Sequence, residues 1–414
     1  MDLLRFFTAG NVDDGKSTLI GRLLLDSHSI STDIIEILTK QSKNINANAP
    51  IDLALLTDGL RAEREQGITI DVAYKYFSSS KRKYIIADTP GHAEYTRNMF
   101  TGASTCELAL ILIDARQGVT EQTKRHTIIA SILGIPNLII CINKMDLVEY
   151  KEIIFNQIKQ DYLVFSASLN LTSVDFVPLS ALLGVNVVKR SEKMPWYKSQ
   201  TLFEFLENIK LDDAITQNPS RFQVQYIIRP QTEEFHDYRG YAGTVLSGNF
   251  SIEDEVYIYP SEQKSRIKRI EKNQKEVSNV GEGDPIILHL HDNFDISRGS
   301  TIVKSTDVPN FSDSVDALIC WMDNKPFVKG QRLLLQHNSH LVKASIKEIV
   351  ASIDVHSAME LHAKESIELN EICKITLKLS SGIAYDAYQN NRKNGAFILI
   401  NENTNNTVAS GVLL

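Results

Sequence analysis

Apolar positions in the first half of the chain alternate between continuous runs of strand length and segments with helical spacing. Leu3–Ala9, Leu108–Ala115 and Asn137–Ile142 are continuous apolar runs, which are typical of strands in a parallel sheet covered on both faces. Lys16–Asp26 carries leucines at helical spacing. This alternation predicts an α/β domain with a mostly parallel, doubly wound sheet. Two shorter candidate strands are Lys83–Ala87 and Phe176–Leu179.

The pattern changes after Arg221, where short segments of alternating apolar and polar residues are separated by turn residues. Such spacing is typical of antiparallel β-barrels. A second boundary is indicated near Asp307–Ser314. We therefore expect two barrels after the α/β domain. Their candidate strands include Phe222–Ile228, Gly243–Ser247, Glu255–Tyr259, Ala317–Trp321, Gln331–Gln336 and Cys373–Leu379.

The expected domains are residues 1–212 for the α/β domain, 220–307 for the first barrel and 312–414 for the second. The polar, turn-rich segments Lys189–Gln200 and Leu211–Ser220 are expected to link domains. A chain of 414 residues is too long for one ordinary core, which agrees with this division.

Composition narrows the functional classes only slightly. Hydrophobic residues make up 43% and charged residues 23% of the chain, as in soluble globular proteins. The net charge of −7 argues mildly against broad coating of nucleic acid, although binding depends on patches rather than totals. We expect no nucleic-acid partner.

Targeting signals and cysteines favour a cytoplasmic protein. The apolar start is too short, and has the wrong flanking charge, for a signal peptide. Because no apolar run reaches ~18 residues, no membrane span is expected either. Four scattered cysteines lack metal-ligand spacing and are expected to be buried reduced thiols, as suits a reducing compartment. They are Cys106, Cys141, Cys320 and Cys373.

A glycine-bounded loop joins the first predicted strand to the first predicted helix. Its backbone N–H groups and the following helix N-terminus suit a phosphate. Lys16 can reach the β- and γ-phosphates of a nucleotide, and the Ser17 hydroxyl can bind Mg²⁺. A phosphate-binding loop (P-loop) is therefore predicted. It consists of Gly10, Asn11, Val12, Asp13, Asp14, Gly15, Lys16, Ser17 and Thr18.

Four further motifs follow in the order typical of GTP-specific switch proteins. Thr69, in the first, can complete a Mg²⁺ shell and sense the γ-phosphate. Asp88, in the second, ends a strand and is placed to hold Mg²⁺, while the Gly91 N–H can reach the γ-phosphate. The motifs are the switch Gly67, Ile68, Thr69, Ile70 and Asp71; then Asp88, Thr89, Pro90, Gly91 and His92; then Asn143, Lys144, Met145 and Asp146; and finally Ser180, Ala181 and Leu182.

The third and fourth motifs predict specificity for the base. The Asp146 carboxylate can accept from both guanine donors, N1–H and the exocyclic amine, whereas adenine presents an acceptor at N1. The tetrapeptide Asn143–Asp146 is a stronger indication of a base site because it directly follows an apolar strand. Ala181 is expected to close over the base with its backbone N–H. The predicted ligands are GTP and Mg²⁺, the metal being held by Ser17, Thr69 and Asp88.

His92 stands where small GTPases carry a water-orienting glutamine. We expect it to position or polarise the attacking water, so that His92 and Lys16 are the predicted catalytic residues. The alternative is an exposed histidine at a turn. Arg61 and Arg64 could act as arginine fingers, although pairing with neighbouring glutamates or with a partner is favoured.

Beyond these motifs, the sequence resembles one family of GTPases over essentially its whole length. Asp88–His92 followed by two barrels resembles the translation-factor GTPases. Longer segments resemble, more specifically, the large GTP-binding subunit of bacterial sulfate adenylyltransferase. Asn11 and Ala93–Glu94 depart from that family's pattern without changing a ligating group. The segments that carry the resemblance are Gly10–Leu24, Asp58–Phe77, Tyr95–Met99, Trp196–Tyr197, Asp237–Val245 and Asn391–Ile400.

The resemblance implies an activity that the motifs alone do not. In that family a small catalytic subunit of the ATP-pyrophosphatase type joins sulfate to the AMP part of ATP, giving adenylylsulfate and pyrophosphate. Formation of this anhydride is strongly uphill, and the GTPase subunit couples GTP hydrolysis to it. The chain would then be the GTPase half of a heterodimeric nucleotidyltransferase. Because no second phosphate-binding loop follows the barrels, we expect no fused adenylylsulfate kinase.

Two other interpretations remain open on the sequence alone. One is a translation-factor-type GTPase that delivers an RNA or a protein to the ribosome. The other is a GTPase whose barrels serve only protein assembly. The run Ala62–Gly67 leading into Asp71–Tyr74 favours sulfate activation, because translation factors resemble it only around Gly67–Ile70.

Overall fold

The computed structural model describes residues 2–27, 29–30, 33, 35, 53, 72–91, 96–169, 171–210, 218–230, 238–354, 359–361 and 364–414. The chain divides into two compact units. The first consists of residues 1–211 with 354–360, and the second of residues 212–353 with 361–414.

A six-stranded sheet flanked by helices forms the first unit. Its strands are β1 (Asp2–Ala9), β2 (Ala73–Ser78), β3 (Arg82–Asp88), β4 (Leu108–Asp114), β5 (Asn137–Asn143) and β6 (Ser173–Pro178). Its described helices are α1 (Lys16–Asp26), α2 (Thr96–Ala103), α3 (Glu121–Ile132), α4 (Glu152–Ser166) and α5 (Leu202–Asn208), with a 3₁₀ turn at Met145–Val148.

The sheet has the order β2-β3-β1-β4-β5-β6 and is parallel except where β2 pairs with β3. β4 is buried along its whole length, and so is β5 after Asn137, as expected for apolar runs between two helical layers. The register aligns Thr8 with Asp88 and Asp114 with Asn143. The carboxyl ends of the parallel strands therefore meet at one edge, where this architecture places its ligand.

The second unit begins with a closed antiparallel barrel. Its strands and flanking short strands are β7 (Arg221–Ile228), β8 (Gly240–Ser247), β9 (Asn249–Ser251), β10 (Glu255–Tyr259), β11 (Gln263–Lys272), β12 (Lys275–Val277), β13 (Asn279–Gly281), β14 (Pro285–Leu290) and β15 (Thr301–Lys304). The order around the barrel is β10-β15-β7-β8-β14-β11, and β11 closes it by pairing with β10. Phe222, Val245 and Ile267 are among the fully buried residues of its core.

A second antiparallel barrel follows. Its elements are β16 (Asn310–Trp321), β17 (Phe327–Val328), β18 (Leu333–His337), β19 (His340–Ile353), β20 (Glu360–Leu361), β21 (Ser366–Ile367), β22 (Ile372–Tyr385), α6 (Arg392–Gly395), β23 (Ala396–Asn401) and β24 (Thr407–Leu413). The order is β18-β23-β24-β16-β22-β19, closed between β19 and β18. Trp321 is fully buried in its core, where its ring packs edge-on against Phe327.

The predicted α/β domain and the two antiparallel barrels are confirmed, while the three domain boundaries stay predictions. The expected role of Lys189–Gln200 as a linker is wrong. This segment belongs to the first unit, where Trp196 and Tyr197 pack against Phe155 of α4. The polar character of the segment hid two aromatic residues, whose large apolar area attaches the loop to the core.

The expectations about the cysteines and about membrane spans can be compared with the residues that the structure describes. None of the four cysteines is in a disulfide, and all four are buried. Burial raises the pKa of the Cys141 and Cys373 thiols, that of Cys373 to about 12, so both carry their protons at neutral pH. No described helix combines the length and apolar character needed to cross a membrane.

A buried ion pair joins the two barrels. Arg221 of β7, with 1% of its side chain exposed, donates from Nε and Nη2 to the Asp386 carboxylate at 2.9 and 2.7 Å. Asn391 and Asn394 donate to the same carboxylate at 3.2 and 2.9 Å. Asn391 also donates to the Ser247 hydroxyl at 2.8 Å. Four donors thus converge on one carboxylate, which compensates a charge that is costly to bury alone.

Asp386→Asn is expected to destabilise the second unit by on the order of 3 kcal/mol, because it leaves the Arg221 charge buried without a counter-ion. Urea unfolding followed by circular dichroism measures this loss. Asp313→Asn is the matched control, since Asp313 pairs with Lys378 at 2.6 Å and both side chains are 51% exposed. The control should cost far less, because an exposed pair is screened by solvent, and equal costs for the two variants would contradict the assigned role of the buried pair.

Candidate functional site

The P-loop lies between β1 and α1, at the carboxyl edge of the sheet. Gly10 and Gly15 have φ angles of 150° and 94°, and Asp13 has a left-handed φ of 68°. A Cβ at Gly15 would meet Asn143 Nδ2 at 2.5 Å, and one at Gly10 would meet the Leu112 carbonyl oxygen at 2.9 Å. Both positions therefore require glycine, for backbone conformation and for space.

Lys16 begins α1 and is almost completely buried. Its ammonium donates to the Gly10 and Asn11 carbonyl oxygens at 3.1 and 2.9 Å. Burial lowers the pKa of Lys16, and the negative charge of Asp88 opposes that effect. A buried ammonium that donates to backbone carbonyl groups is a strong electrostatic partner for an anion that enters the loop.

Asn143, at the end of β5, connects two other loops of the site. Its amide donates from Nδ2 to the Asp14 carbonyl at 2.8 Å, and its Oδ1 accepts from the Ala181 N–H at 2.9 Å. One buried side chain therefore fixes the P-loop against the loop that follows β6. Sequence reasoning assigned Asn143 to the nucleotide site but did not foresee this bridge, and it gave the Ala181 N–H to the base instead.

The remaining residues of the fourth motif are held from α1. Arg22 donates from Nε to the Ala181 carbonyl at 3.2 Å and from Nη2 to the Leu182 carbonyl. Ser180 is fully buried, whereas Leu182 is 40% exposed. Arg22 is a residue that sequence reasoning missed, since a helical arginine among leucines gives no signal of its own.

Asp88 ends β3 and is also buried. Its carboxylate accepts from the Thr8 hydroxyl at 3.1 Å, across the parallel pairing of β1 and β3. Thr89 follows and donates from its hydroxyl to the Thr8 carbonyl at 2.6 Å. These bonds fix the chain just before Gly91, where a Cβ would collide with the Lys16 ammonium and approach the Gly10 carbonyl oxygen to 2.7 Å.

The third motif contains a left-handed residue. Lys144 has a φ of 61°, and its ammonium lies 2.9 Å from the Asp114 carboxylate. Met145 is buried, and Asp146 follows in the 3₁₀ turn. Asp114 was missed by sequence reasoning, although its signal was available. Like Asp88, it is an acidic residue at the carboxyl end of an apolar strand.

The structure can be examined for donors that suit Mg²⁺. Ser17, in the first turn of α1, and the Asp88 carboxylate offer the oxygen donors that this ion prefers. No group of three or more histidine, cysteine or acidic residues within the described part of the chain could hold a metal by itself. This donor set fits an ion that is bound mainly by nucleotide phosphates and completed by one or two protein oxygens.

Several predicted site residues lie outside the described residues. They are the switch Gly67, Ile68, Thr69, Ile70 and Asp71, together with His92, Arg61 and Arg64. The other predicted residues are all described. The structure brings the P-loop together with Asp88–Gly91, Asn143–Asp146 and Ser180–Leu182 at one edge of the sheet.

Asp14 places a carboxyl group inside the P-loop. It is 2% exposed and accepts from the Asn11 N–H at 2.6 Å. Burial raises the pKa of Asp14 to about 6, although the Asn11 N–H and Lys16 oppose the effect. Because the pKa of Asp14 is higher in the folded state than in the unfolded state, this group contributes most to the stability of the protein below the unfolded-state pKa near 3.8. That contribution is lost as the pH rises through about 6.

Asp14→Asn should therefore stabilise the nucleotide-free protein, by roughly 3 kcal/mol above pH 6 and by less toward pH 4. Asparagine keeps an acceptor for the Asn11 N–H without a buried charge. Urea unfolding of wild type and variant at pH 5 and pH 8 measures the difference. Asp13→Asn, at an exposed neighbour in the same loop, is the control and should show no comparable gain. A gain of equal size at both pH values would contradict the assignment to Asp14 ionisation.

Comparison with protein families agrees with this geometry. Residues 1–218 match the elongation factor Tu GTP binding domain, and residues 314–414 match the GTP-eEF1A C-terminal domain-like family. The Ski7 GTPase-like domain of S. cerevisiae, solved with GTP bound, superposes with a TM-score of 0.54 at 19% identity, covering 100% of this chain and 97% of that one. At that identity the likeness concerns the fold alone.

Relatives that match this chain over 99–100% of its length identify its family more narrowly. Sulfate adenylyltransferase subunit 1 of Cellvibrio japonicus is 49% identical over 414 residues, which cover 100% of this chain and 87% of that protein. The protein of the same name from Aliarcobacter butzleri is 47% identical over 413 residues, covering 99% and 87%. The resemblance seen in the sequence is confirmed. The chain belongs to the sulfate adenylyltransferase subunit 1 family and begins with a GTP-binding domain of the elongation factor Tu type.

Proposed function

We propose that this chain is the GTPase subunit of a sulfate adenylyltransferase, in which GTP hydrolysis drives the formation of adenylylsulfate and pyrophosphate from ATP and sulfate. The observation that carries the proposal is the meeting of the P-loop, Asp88–Gly91, Asn143–Asp146 and Ser180–Leu182 at one sheet edge. This site occurs in a chain that is related along its whole length to proteins named sulfate adenylyltransferase subunit 1.

The P-loop and Lys16 are proposed to bind the phosphates. N–H groups of residues 10–18 and the N-terminus of α1 offer donors and a favourable dipole, and no acidic residue in the first helical turn opposes it. Lys16 would exchange its carbonyl partners for phosphate oxygens. Because it lies in a buried setting, its charge acts on the transferring phosphoryl group with little screening.

Asn143–Asp146 and Ser180–Leu182 are proposed to form the guanine site. Asp146 would accept from N1–H and the exocyclic amine of guanine, a pairing that adenine does not offer. Asn143 would support this base site, because its side chain bonds both the Ala181 N–H and the Asp14 carbonyl. The two sides of the nucleotide site are thereby kept at a fixed separation.

Mg²⁺ is proposed to be held by Ser17, Asp88 and Thr69, of which Thr69 is assigned from the sequence alone. When bound, the ion would neutralise negative charge on the β- and γ-phosphates. His92 is proposed to orient the attacking water, and this assignment also rests on the sequence. Gly91, just before His92, is held by Gln122 of α3, whose amide donates to its carbonyl at 3.0 Å.

The family name indicates that the chain works with another subunit, and we propose a small catalytic subunit of the ATP-pyrophosphatase type as that partner. A cytoplasmic location is proposed from the buried, reduced cysteines. The translation-factor alternative is not favoured, because full-length relatives at 45–49% identity carry the sulfate adenylyltransferase name, whereas the superposed Ski7 domain is only 19% identical.

The test is sulfate-dependent release of pyrophosphate from ATP by the chain purified together with its native partner. GTP should stimulate release strongly, because hydrolysis offsets the unfavourable formation of the anhydride. Asp146→Asn should lose stimulation by GTP and regain it with xanthosine triphosphate, since an asparagine amide can donate to the carbonyl that replaces the guanine amine.

The xanthosine rescue separates loss of base recognition from loss of folding. Lys81→Gln is the control, at an exposed lysine of the same unit that pairs with Glu207 at 3.0 Å, and it should leave stimulation by GTP unchanged. Robust GTP hydrolysis without sulfate-dependent pyrophosphate, in a preparation that contains the small subunit, would overturn the proposal in favour of a translation-type switch.

A further inference from the structure

Helix α1 contacts two loops of the candidate nucleotide site. Lys16, next to the P-loop, is its first residue, and Arg22 follows less than two turns later. Arg22 donates from Nε to the Ala181 carbonyl at 3.2 Å and from Nη2 to the Leu182 carbonyl. Its third nitrogen, Nη1, lies 3.5 Å from the carboxylate of Asp26, at the end of the helix. One helix therefore joins the loop proposed for the phosphates to the loop proposed for the base.

The loop that Arg22 contacts is short and closed where it leaves the sheet. Ser180 and Val185 exchange two backbone hydrogen bonds of 3.1 Å, so the residues between them form a small projection after β6. Gly184 in this projection has a left-handed φ of 70°, and a Cβ there would lie 3.5 Å from Arg22 Cδ. Leu182 is 40% exposed. The projection thus packs against α1 on one side and reaches the surface on another.

A forked cation suits this position better than any other side chain. The carbonyl groups of two successive residues converge on Arg22, and a guanidinium can donate to both at once. The ammonium of lysine is a point charge on a flexible stem and does not reproduce that geometry. Because only 17% of the Arg22 side chain is exposed, water would replace its bonds incompletely if it were removed.

We propose that Arg22 is a positioning residue that controls how long a guanine nucleotide stays bound, because it holds Ser180–Leu182 in the arrangement that binds the base. This inference rests on the proposed guanine site and adds a determinant of nucleotide release. Asn143 holds the Ala181 N–H, so the loop is supported from the sheet through an N–H and from α1 through two carbonyls. Breaking the Arg22 bonds removes one support, and the loop then opens more often.

The experiment measures release of GDP labelled with a fluorescent group on its ribose from the full chain, after mixing with excess unlabelled GDP. Arg22→Gln should raise the dissociation rate constant on the order of 10-fold, because two hydrogen bonds from a charged donor are lost at a mostly buried position. Arg22→Lys should raise it about 3-fold, since lysine keeps the charge without the fork. The association rate constant should change by less than about twofold, because an open loop does not hinder entry.

Two further readouts separate positioning from a general loss of structure. Asp26→Asn is the matched control, because it removes the third partner of Arg22 and keeps both carbonyl contacts, and its dissociation rate constant should stay within about twofold of wild type. The rate of GTP cleavage in a single turnover should also stay within about twofold in Arg22→Gln. A disrupted α1 would instead slow cleavage, because Lys16 is its first residue.

Three results would overturn the inference. They are an unchanged dissociation rate constant in Arg22→Gln and Arg22→Lys, an equal increase in Asp26→Asn, or parallel losses of association and of single-turnover cleavage in both Arg22 variants. If Arg22→Gln does not fold, the increase expected for Arg22→Lys decides. Failure of the proposed function looks different, because the wild-type chain would then bind labelled GDP no better than labelled ADP, before any variant is compared.

Discussion

The buried amide of Asn143 is the interaction on which the site depends. With its two polar atoms it holds the P-loop carbonyl of Asp14 and the Ala181 N–H, which belong to loops after different strands. The amide fits because Gly15 has no side chain, since a Cβ there would lie 2.5 Å from Nδ2. The parallel register adds the second constraint by placing Asn143 beside Asp114, so that the base-side residues and the end of β4 are fixed together.

Positively and negatively charged side chains lie close together at this edge of the sheet. Lys16 is buried near Asp88 and Asp14, and Lys144 and Arg116 share Asp114. Asp14 is a group whose charge the fold disfavours, since burial raises its pKa to about 6. A phosphate-binding loop that carries a carboxyl group repels its ligand unless cations outweigh it, and the N-terminus of α1 with Lys16 supplies that excess.

Much of the fold could be predicted from the sequence because its signals are local. Helix α1 was bounded correctly at Lys16–Asp26, since leucines at helical spacing directly follow the glycine loop. Strands β16 and β22 were predicted too short, because residues 310–314 of β16 are mostly exposed and the exposed Ser380 and Ser381 interrupt the apolar alternation of β22. The aromatic anchoring of Trp196 and Tyr197 was missed because it depends on contacts with a helix distant in sequence.

The residues of the candidate site also divide into those that local sequence signals reveal and those that depend on contacts distant in sequence. Residues that are proposed to bind the ligand directly, such as Lys16 and Asp88, appear in fixed motifs, so the sequence reveals them. Arg22, Asp114 and Gln122 contact other residues of the site, namely Ala181, Lys144 and Gly91, and their identity follows from which strand ends and helices are neighbours in space. Gln122 illustrates the point: its amide fixes the Gly91 carbonyl while Arg125 holds the other end of the same amide at 3.0 Å. The Gly91 carbonyl, at the end of the described part of the second motif, is thereby restrained from α3.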